Sequence, residues 1–118
     1  VSRWTCLHIR RLTKCMRMAL RRKGFRFIEV IAPCSTLYAR LNRLGGGLEL
    51  MRFYHDNAKI QHGIDTREVD IDYQDTIICG NFVDEERPTF LEMMDAHYEK
   101  VLGERYLPMK PEGGWLHD

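Results

Sequence analysis

The chain has 118 residues, of which 44% are hydrophobic and 30% charged, and its formal net charge at pH 7 is +1. This composition is that of an ordinary soluble protein with one domain or part of one, and the near-neutral charge argues against general nucleic-acid binding. No apolar segment approaches the roughly 20 residues that cross a membrane, and the first residues lack the apolar stretch of a signal peptide.

The first predicted element is an amphipathic helix over residues 5–23, with Thr5 as its N-cap and Gly24 as the left-handed residue that follows it. One face is predicted to pack on a sheet, and the opposite face is basic. The inner row is Ile9, Leu12, Met16 and Ala19, and the outer row is Arg10, Lys14, Arg17 and Arg21. The basic row has two interpretations, a solvated surface or a docking face for an acidic partner or a phosphate-bearing ligand.

A buried strand is predicted over Phe25–Ile31, because the segment is rich in β-branched and aromatic residues and its apolar run is broken only by Glu29. Pro33 ends this strand, since proline has no N–H to donate to a neighbouring strand. Cys34 follows on the loop at the carboxyl end of the strand, where α/β sheets usually place their chemistry. By its spacing alone, Cys34 is either a buried free thiol or a candidate ligand or nucleophile.

The middle of the chain contains shorter predicted elements. Ser35 and Thr36 are predicted to begin a short helix, and the triple glycine at positions 45–47 is interpreted as a flexible joint. A second short helix follows over residues 48–58, with an inner row of Leu50, Met51 and Tyr54. Residues 59–75 are predicted to form a surface loop or a crossing strand, and residues 76–80 a second strand with a buried Cys79.

The last predicted helix begins near Pro88, which suits the first helical position, and ends at Gly103. Its predicted inner row consists of four residues, Leu91, Met94, Tyr98 and Val101. Residues 104–118 are predicted to be an extended tail. The order of helices and strands is typical of an α/β fold, in which Phe25–Ile31 and residues 76–80 are expected to be parallel strands. Two strands are too few for a complete doubly wound sheet, so the chain is predicted to be part of a larger domain.

The four cysteines are Cys6, Cys15, Cys34 and Cys79. They contain no C-x-x-C pair and match no zinc-binding spacing. Cys6 and Cys15 lie on the same predicted helix and point to opposite sides of it, which argues against a disulfide framework. These features favour a reducing cytoplasm.

Two stretches of this sequence point to a family, FIEVIAPC-x-T and G-x-F-V-D-x-E-R-P-T-F. With the R-W-T near the start, they closely resemble the carboxyl-terminal half of the β subunit of 2-oxoacid:ferredoxin oxidoreductases, of the 2-oxoglutarate type. The resemblance runs from Val1 to about Gly103. It implies that residues 1–103 are the carboxyl-terminal half of a Rossmann-like, thiamine-diphosphate-binding α/β domain with parallel strands and flanking helices.

The resemblance also implies which cofactors the complete β subunit binds: thiamine diphosphate, Mg²⁺ and a 4Fe–4S cluster. Cys34 matches the fourth cluster-ligating cysteine of the family, and Arg40 is a candidate partner for the distal carboxylate of a 2-oxo acid. The three other cluster cysteines and the G-D-G-D segment that holds magnesium and diphosphate have no match in this chain. We therefore expect the chain alone to bind none of these cofactors and to be inactive, and no residue is assigned a catalytic role.

The complete enzyme of this family decarboxylates a 2-oxo acid, forms an acyl-CoA from coenzyme A and passes electrons through iron–sulfur clusters to ferredoxin. Its partner would be the α subunit of the same enzyme. One departure concerns the substrate: the family often reads Y-G-R-R-N after the cysteine, whereas this chain has YARLN at positions 38–42 and lacks the second arginine. The alternative function is a non-catalytic interaction module whose basic helix, residues 5–23, docks an acidic partner.

Overall fold

The computed structural model describes residues 1–70 and 75–107 and has the α/β fold expected from the sequence. The strands are β1 (Ser2–Thr5), β2 (Ile28–Ile31), β3 (Ala58–Ile60) and β4 (Ile77–Asn81). The helices are α1 (Ile9–Arg21), α2 (Tyr38–Leu41), α3 (Gly47–Asn57) and α4 (Phe90–Leu102), with a short 3₁₀ turn at Gly103–Arg105. The chain divides into two compact units, one made of Val1–Arg22 and Arg26–Glu85 and the other of Lys23–Phe25 and Glu86–Asp118.

The strands form one mostly parallel sheet in the order β2-β1-β4-β3. β1 is parallel to β2, and β3 is parallel to β4, but the central pair β1–β4 is antiparallel. β2 and β4 therefore run in opposite directions and are separated by β1. The prediction that these two strands are parallel is wrong, because it overlooked β1, which lies between them and reverses the direction of the sheet.

β1 is central and fully buried, although three of its four residues are polar. Each strand residue of the parallel pair has a partner in register, and Arg3 lies opposite Glu29 of β2. Nε of Arg3 is 2.6 Å from Oε2 of Glu29, and its Nη1 donates a hydrogen bond of 2.8 Å to the carbonyl of Val69. A charged side chain can occupy this buried position because it is both paired and hydrogen-bonded.

α1 begins at Ile9 with His8 as its N-cap, so the predicted start at Thr5 is wrong. Thr5 is instead the last residue of β1 and is completely buried. The helix contacts the core of its unit through Leu12 and Cys15, and Sγ of Cys15 lies 3.1 Å from Oγ of Ser2. Two residues of the predicted inner row, Ile9 and Met16, are 68% and 50% exposed. The predicted basic row is exposed at all four positions, Arg10, Lys14, Arg17 and Arg21.

α3 agrees closely with the predicted second short helix, and its buried residues are Leu50 and Tyr54. The glycine segment before it is a helix cap and not a flexible joint. Gly45 has a φ of +83°, and the carboxylate of Glu49 accepts a hydrogen bond of 2.9 Å from the N–H of Gly46. A glutamate in the first turn of a helix stabilises it by satisfying such free N–H groups.

The core of the first unit is a cluster of five buried residues, Trp4, Ile31, Tyr54, Ile77 and Cys79. Trp4 and Ile31 come from the parallel pair β1–β2, and Ile77 and Cys79 come from β4. The burial of Cys79 confirms the prediction made for it. β3, for which the sequence left a loop or a strand open, is a three-residue strand beside β4.

In the second unit, α4 begins after Thr89, which forms a reciprocal capping box with Glu92. The N–H of Thr89 donates to Glu92 at 2.7 Å, and the N–H of Glu92 donates to Oγ1 of Thr89 at 3.2 Å. Gly103 ends the helix, as predicted, with a φ of +54°. Residues 108–118 of the predicted tail lie outside the described residues, and the domain boundary at residue 103 stays a prediction. None of the helices in the described ranges is long and apolar enough to cross a membrane.

Candidate functional site

The candidate site lies at one edge of the sheet, where the parallel strands β1 and β2 both end. The N–H of Cys6 donates a hydrogen bond of 2.9 Å to the carbonyl of Ile31, so the two strands stay paired to the last residue of β2. Pro33 and Cys34 follow directly. Cys34 is exposed, which excludes the interpretation of this residue as a buried thiol.

The loop after β2 determines the acidity of the Cys34 thiol. Backbone N–H groups of Tyr38 and Leu37 hydrogen-bond to the sulfur and hold the pKa of the Cys34 thiol below its usual value, and Thr36 adds to this effect. The carbonyl of Cys34 accepts a hydrogen bond of 2.9 Å from the N–H of Ala39, which is completely buried. The loop is thereby closed onto the protein while the thiol faces solvent. Donors of this kind favour the thiolate, the form of cysteine that binds metals and attacks electrophiles.

The other three cysteines have different surroundings. Cys79 is completely buried, and burial raises the pKa of its thiol. Cys15 packs against Ser2, and Sγ of Cys6 lies 3.4 Å from Sδ of Met51. No group of three or more His, Cys, Asp or Glu in residues 1–70 and 75–107 is arranged to hold a metal ion. Because iron–sulfur clusters are held by cysteine thiolates, Cys34 fits one ligand of such a cluster.

Arg40 lies on α2, six residues after Cys34, and is exposed. Its carbonyl accepts a hydrogen bond of 3.4 Å from the N–H of Arg43, a residue with a left-handed φ of +55°. Its guanidinium forms no ion pair with any described residue. The structure thus places Arg40 on the same loop-and-helix segment as Cys34, with its charge available to an anion.

A polar group around Trp4 was not predicted from the sequence. The Trp4 ring lies 5.7 Å from the ring of His8 and 6.1 Å from that of His62, and its buried Nε1 has no partner in the described part of the chain. Nδ1 of His8 accepts from the N–H of Thr5 at 3.3 Å and lies 2.9 Å from Oγ1 of Thr5. Burial, followed by the charge of Arg11, lowers the pKa of His8. The T-x-x-H spacing was the available signal, because residues three apart meet in a tight turn.

Comparisons with known proteins identify a group of relatives. No family model matches the chain, and no solved structure gives a significant match. The chain is 31% identical over 105 residues to the 2-oxoglutarate synthase subunit KorB of Methanocaldococcus jannaschii. It is 34% identical over 103 residues to that of Methanothermobacter thermautotrophicus and 30% identical over 106 residues to that of Methanothermobacter marburgensis.

These alignments cover most of this chain but a smaller part of each relative. They include 87–88% of this chain and 36–38% of the relatives, so the chain spans little more than a third of the length of the curated proteins it matches. The family resemblance seen in the sequence is therefore confirmed, and this chain is similar, over most of its length, to a segment of the KorB subunits of 2-oxoglutarate synthases.

Proposed function

We propose that this chain is part of the β subunit of a 2-oxoglutarate:ferredoxin oxidoreductase, and that Cys34 is one ligand of a 4Fe–4S cluster in the complete subunit. The observation that carries the proposal is the exposed Cys34 thiol on the loop at the end of β2, where backbone hydrogen bonds lower its pKa. The similarity to three KorB subunits supports the class of enzyme.

The residues around Cys34 supply what a cluster ligand needs. The hydrogen bonds from Tyr38 and Leu37 favour the thiolate, so less free energy is needed to deprotonate the sulfur before it binds iron. Pro33 fixes the backbone just before the cysteine, and the bond to Ala39 fixes it just after. When bound, the cluster accepts and releases single electrons at a potential that hydrogen bonds to its sulfurs adjust.

The proposed overall reaction is balanced by an electron acceptor. A 2-oxo acid and coenzyme A give an acyl-CoA and carbon dioxide, and the electron pair released leaves in single steps to ferredoxin, with a proton passing to solvent. By resemblance, thiamine diphosphate and Mg²⁺ are held by parts of the subunit other than this chain. We propose the α subunit as its partner and the cytoplasm as its location, and we propose that the chain alone is inactive.

The experiment that tests this function replaces Cys34 with alanine in the complete subunit, produced together with the α subunit. Cys34→Ala is expected to lose cluster iron and ferredoxin-linked turnover. Cys79→Ala is the matched control, because it removes a thiol that faces the core, and it is expected to keep both and to lower stability by about 1 kcal/mol. Full iron content and normal turnover in the Cys34 variant would show that the ligand assignment is wrong.

We further propose that Arg40 binds the distal carboxylate of the substrate. A hydrogen bond to a charged group contributes about 1.5–3 kcal/mol, so Arg40→Gln should raise the KM for 2-oxoglutarate about tenfold or more. The KM for a 2-oxo acid with one carboxylate should stay unchanged. Arg43→Gln, a neighbouring exposed arginine, is the control. Equal effects of Arg40→Gln on both substrates would contradict this role.

A further inference from the structure

The outer face of α1 carries a row of cations directed away from the core. Arg10, Lys14, Arg17 and Arg21 are spaced four, three and four residues apart, which places them on one side of a helix that turns about 100° per residue. Leu12 and Cys15, which contact the core, lie on the opposite side. The position of the row is therefore fixed by packing and does not depend on the sequence pattern alone.

The charge of this row is not compensated within the described part of the chain. α1 contains no acidic residue, and none of the four cations forms an ion pair with a described residue. By contrast, Arg22, one residue beyond the helix, pairs with Asp84 at 3.0 Å. Several unpaired cations on one helix face produce a positive potential that attracts acidic molecules.

An apolar row runs beside the cations. Ile9, Met16 and Leu20 lie on the same side of α1 at 68%, 50% and 79% exposure, with spacings of seven and four residues. Nucleic acids and free phosphates are recognised mainly through charge and hydrogen bonds. Adjacent exposed aliphatic side chains and cations instead resemble the surface of a protein interface, which combines an apolar centre with a charged rim.

The first turn of α1 is joined to the edge of the sheet that carries Cys34. The N–H of His8 donates to the carbonyl of Thr5 at 3.0 Å, and the N–H of Cys6 donates to the carbonyl of Ile31 at 2.9 Å. The amino-terminal end of α1 and the loop that bears Cys34 thus begin at the same edge.

We infer that the outer face of α1, defined by Arg10, Lys14, Arg17 and Arg21 with Ile9, Met16 and Leu20, is the docking surface for an acidic electron-carrier protein. This inference rests on the proposed function, which needs a protein that receives electrons near Cys34. Electron-transfer partners form small, short-lived interfaces, and charge raises their rate of encounter. Unpaired cations suit such an interface, because they remain solvated each time the carrier leaves.

The test uses the complete enzyme and two acceptors, an acidic ferredoxin and a small redox dye that needs no docking surface. The double variant Lys14→Glu/Arg17→Glu is expected to lower kcat/KM for ferredoxin about tenfold at low ionic strength and to weaken its dependence on salt. Dye-linked oxidation of the 2-oxo acid and the KM for coenzyme A are expected to stay unchanged. Arg52→Glu/Lys59→Glu, with the same change in charge on α3 and β3, should leave the ferredoxin kinetics unchanged.

Each alternative gives a different result. Equal ferredoxin kinetics for the two double variants would overturn the docking surface while the proposed function stands on the dye-linked activity. If the α1 variant raises only the KM for coenzyme A, the face binds a phosphate-bearing ligand. If the unmodified enzyme binds a duplex DNA in a salt-sensitive way, and the α1 variant loses this binding while its ferredoxin kinetics stay unaffected, the face binds nucleic acid. Loss of dye-linked activity only in the α1 variant would show that the face packs inside the assembly. Absence of dye-linked activity in the unmodified enzyme would overturn both proposals.

Discussion

Arg3 of β1 and Glu29 of β2 are register partners in the parallel pair, and their Nε and Oε2 atoms lie 2.6 Å apart. The side chain of Arg3 is 10% exposed and that of Glu29 is 32% exposed, so the pair is shielded mainly on its arginine side. If one partner is removed, the other side chain keeps a charge that is shielded from water and has no opposite charge beside it, which lowers the stability of the fold. The pair therefore couples the central strand to β2.

We expect Arg3→Met to lower the free energy of unfolding by about 2 kcal/mol, a value between those of exposed and fully buried pairs, because part of Glu29 reaches solvent. The change also leaves the carbonyl of Val69 without its donor. Arg22→Met breaks the exposed pair with Asp84 and should lower the free energy of unfolding by at most about 0.5 kcal/mol. Urea denaturation of both variants measures the difference, and equal losses would contradict the role of the Arg3–Glu29 pair.

A second prediction concerns Gly80 in β4, where the backbone of another segment approaches closely. Gly80 has a φ of +151°, and a Cβ at this position would overlap the carbonyl of Gln61. Gly80→Ala is expected to destabilise the chain by about 3 kcal/mol or more, through strain in a position that favours glycine and a steric clash. Gly47→Ala, at the start of α3 with no atom within 4 Å, should be neutral or stabilising. Thermal denaturation of the two variants measures these changes in stability. A small loss of stability in Gly80→Ala would show that β3 and β4 can separate locally.

A third prediction follows from the hydrogen bonds to the sulfur of Cys34. They lower the pKa of this thiol, so its alkylation by iodoacetamide should reach half its maximal rate at a lower pH than that of an unperturbed cysteine, about pH 8.5. Cys79, which is buried with a raised pKa, should react only after unfolding. Mass spectrometry of peptides after timed alkylation at several pH values measures both. An ordinary pH profile at Cys34 would mean that the N–H donors do not stabilise its thiolate.

His8 gives a prediction for the dependence of stability on pH. Its pKa in the folded chain is lowered, so the unfolded chain binds a proton at this residue at a higher pH than the folded chain does. Its contribution to stability is thus complete above the unfolded pKa of about 6.5 and declines as the pH falls towards the lower folded value. Urea midpoints at about pH 7.5 and 5.5 should differ less in His8→Asn than in the unmodified chain. Identical differences would exclude His8 as a source of the pH dependence.

The sequence was informative where local patterns matched the final packing. The α/β class, α3 and the burial of Cys79 follow from periodicity, and α4 follows from the residues at its two ends, although three of the four residues of its predicted inner row are exposed. These signals are local properties. β1 could not be found this way, because it is short and mostly polar. Its residue Arg3 is held by partners 26 and 66 positions away, Glu29 and the carbonyl of Val69, which no local window includes.

The missed strand also explains the errors in α1. With Thr5 counted as helical, the inner face was assigned to a row that includes Ile9 and Met16. The true helix begins only after a strand and a turn, and it contacts the core through Leu12 and Cys15. The loop position of Cys34 was predictable, because Pro33 stops any strand. The N–H donors around its sulfur were not, since they depend on the turn that leads into α2.

The position of β2 at the end of the strand order has a practical consequence for handling this chain. One side of its backbone has no partner strand within the described residues, and Val30, a residue of this strand, is 47% exposed. An open, apolar strand edge is a template on which the edge of another molecule can pair, and it promotes aggregation. We therefore expect concentrated preparations of the chain without its partners to aggregate through β2. Val30→Lys should reduce this aggregation, because the lysines of two molecules would repel each other when their β2 edges approach.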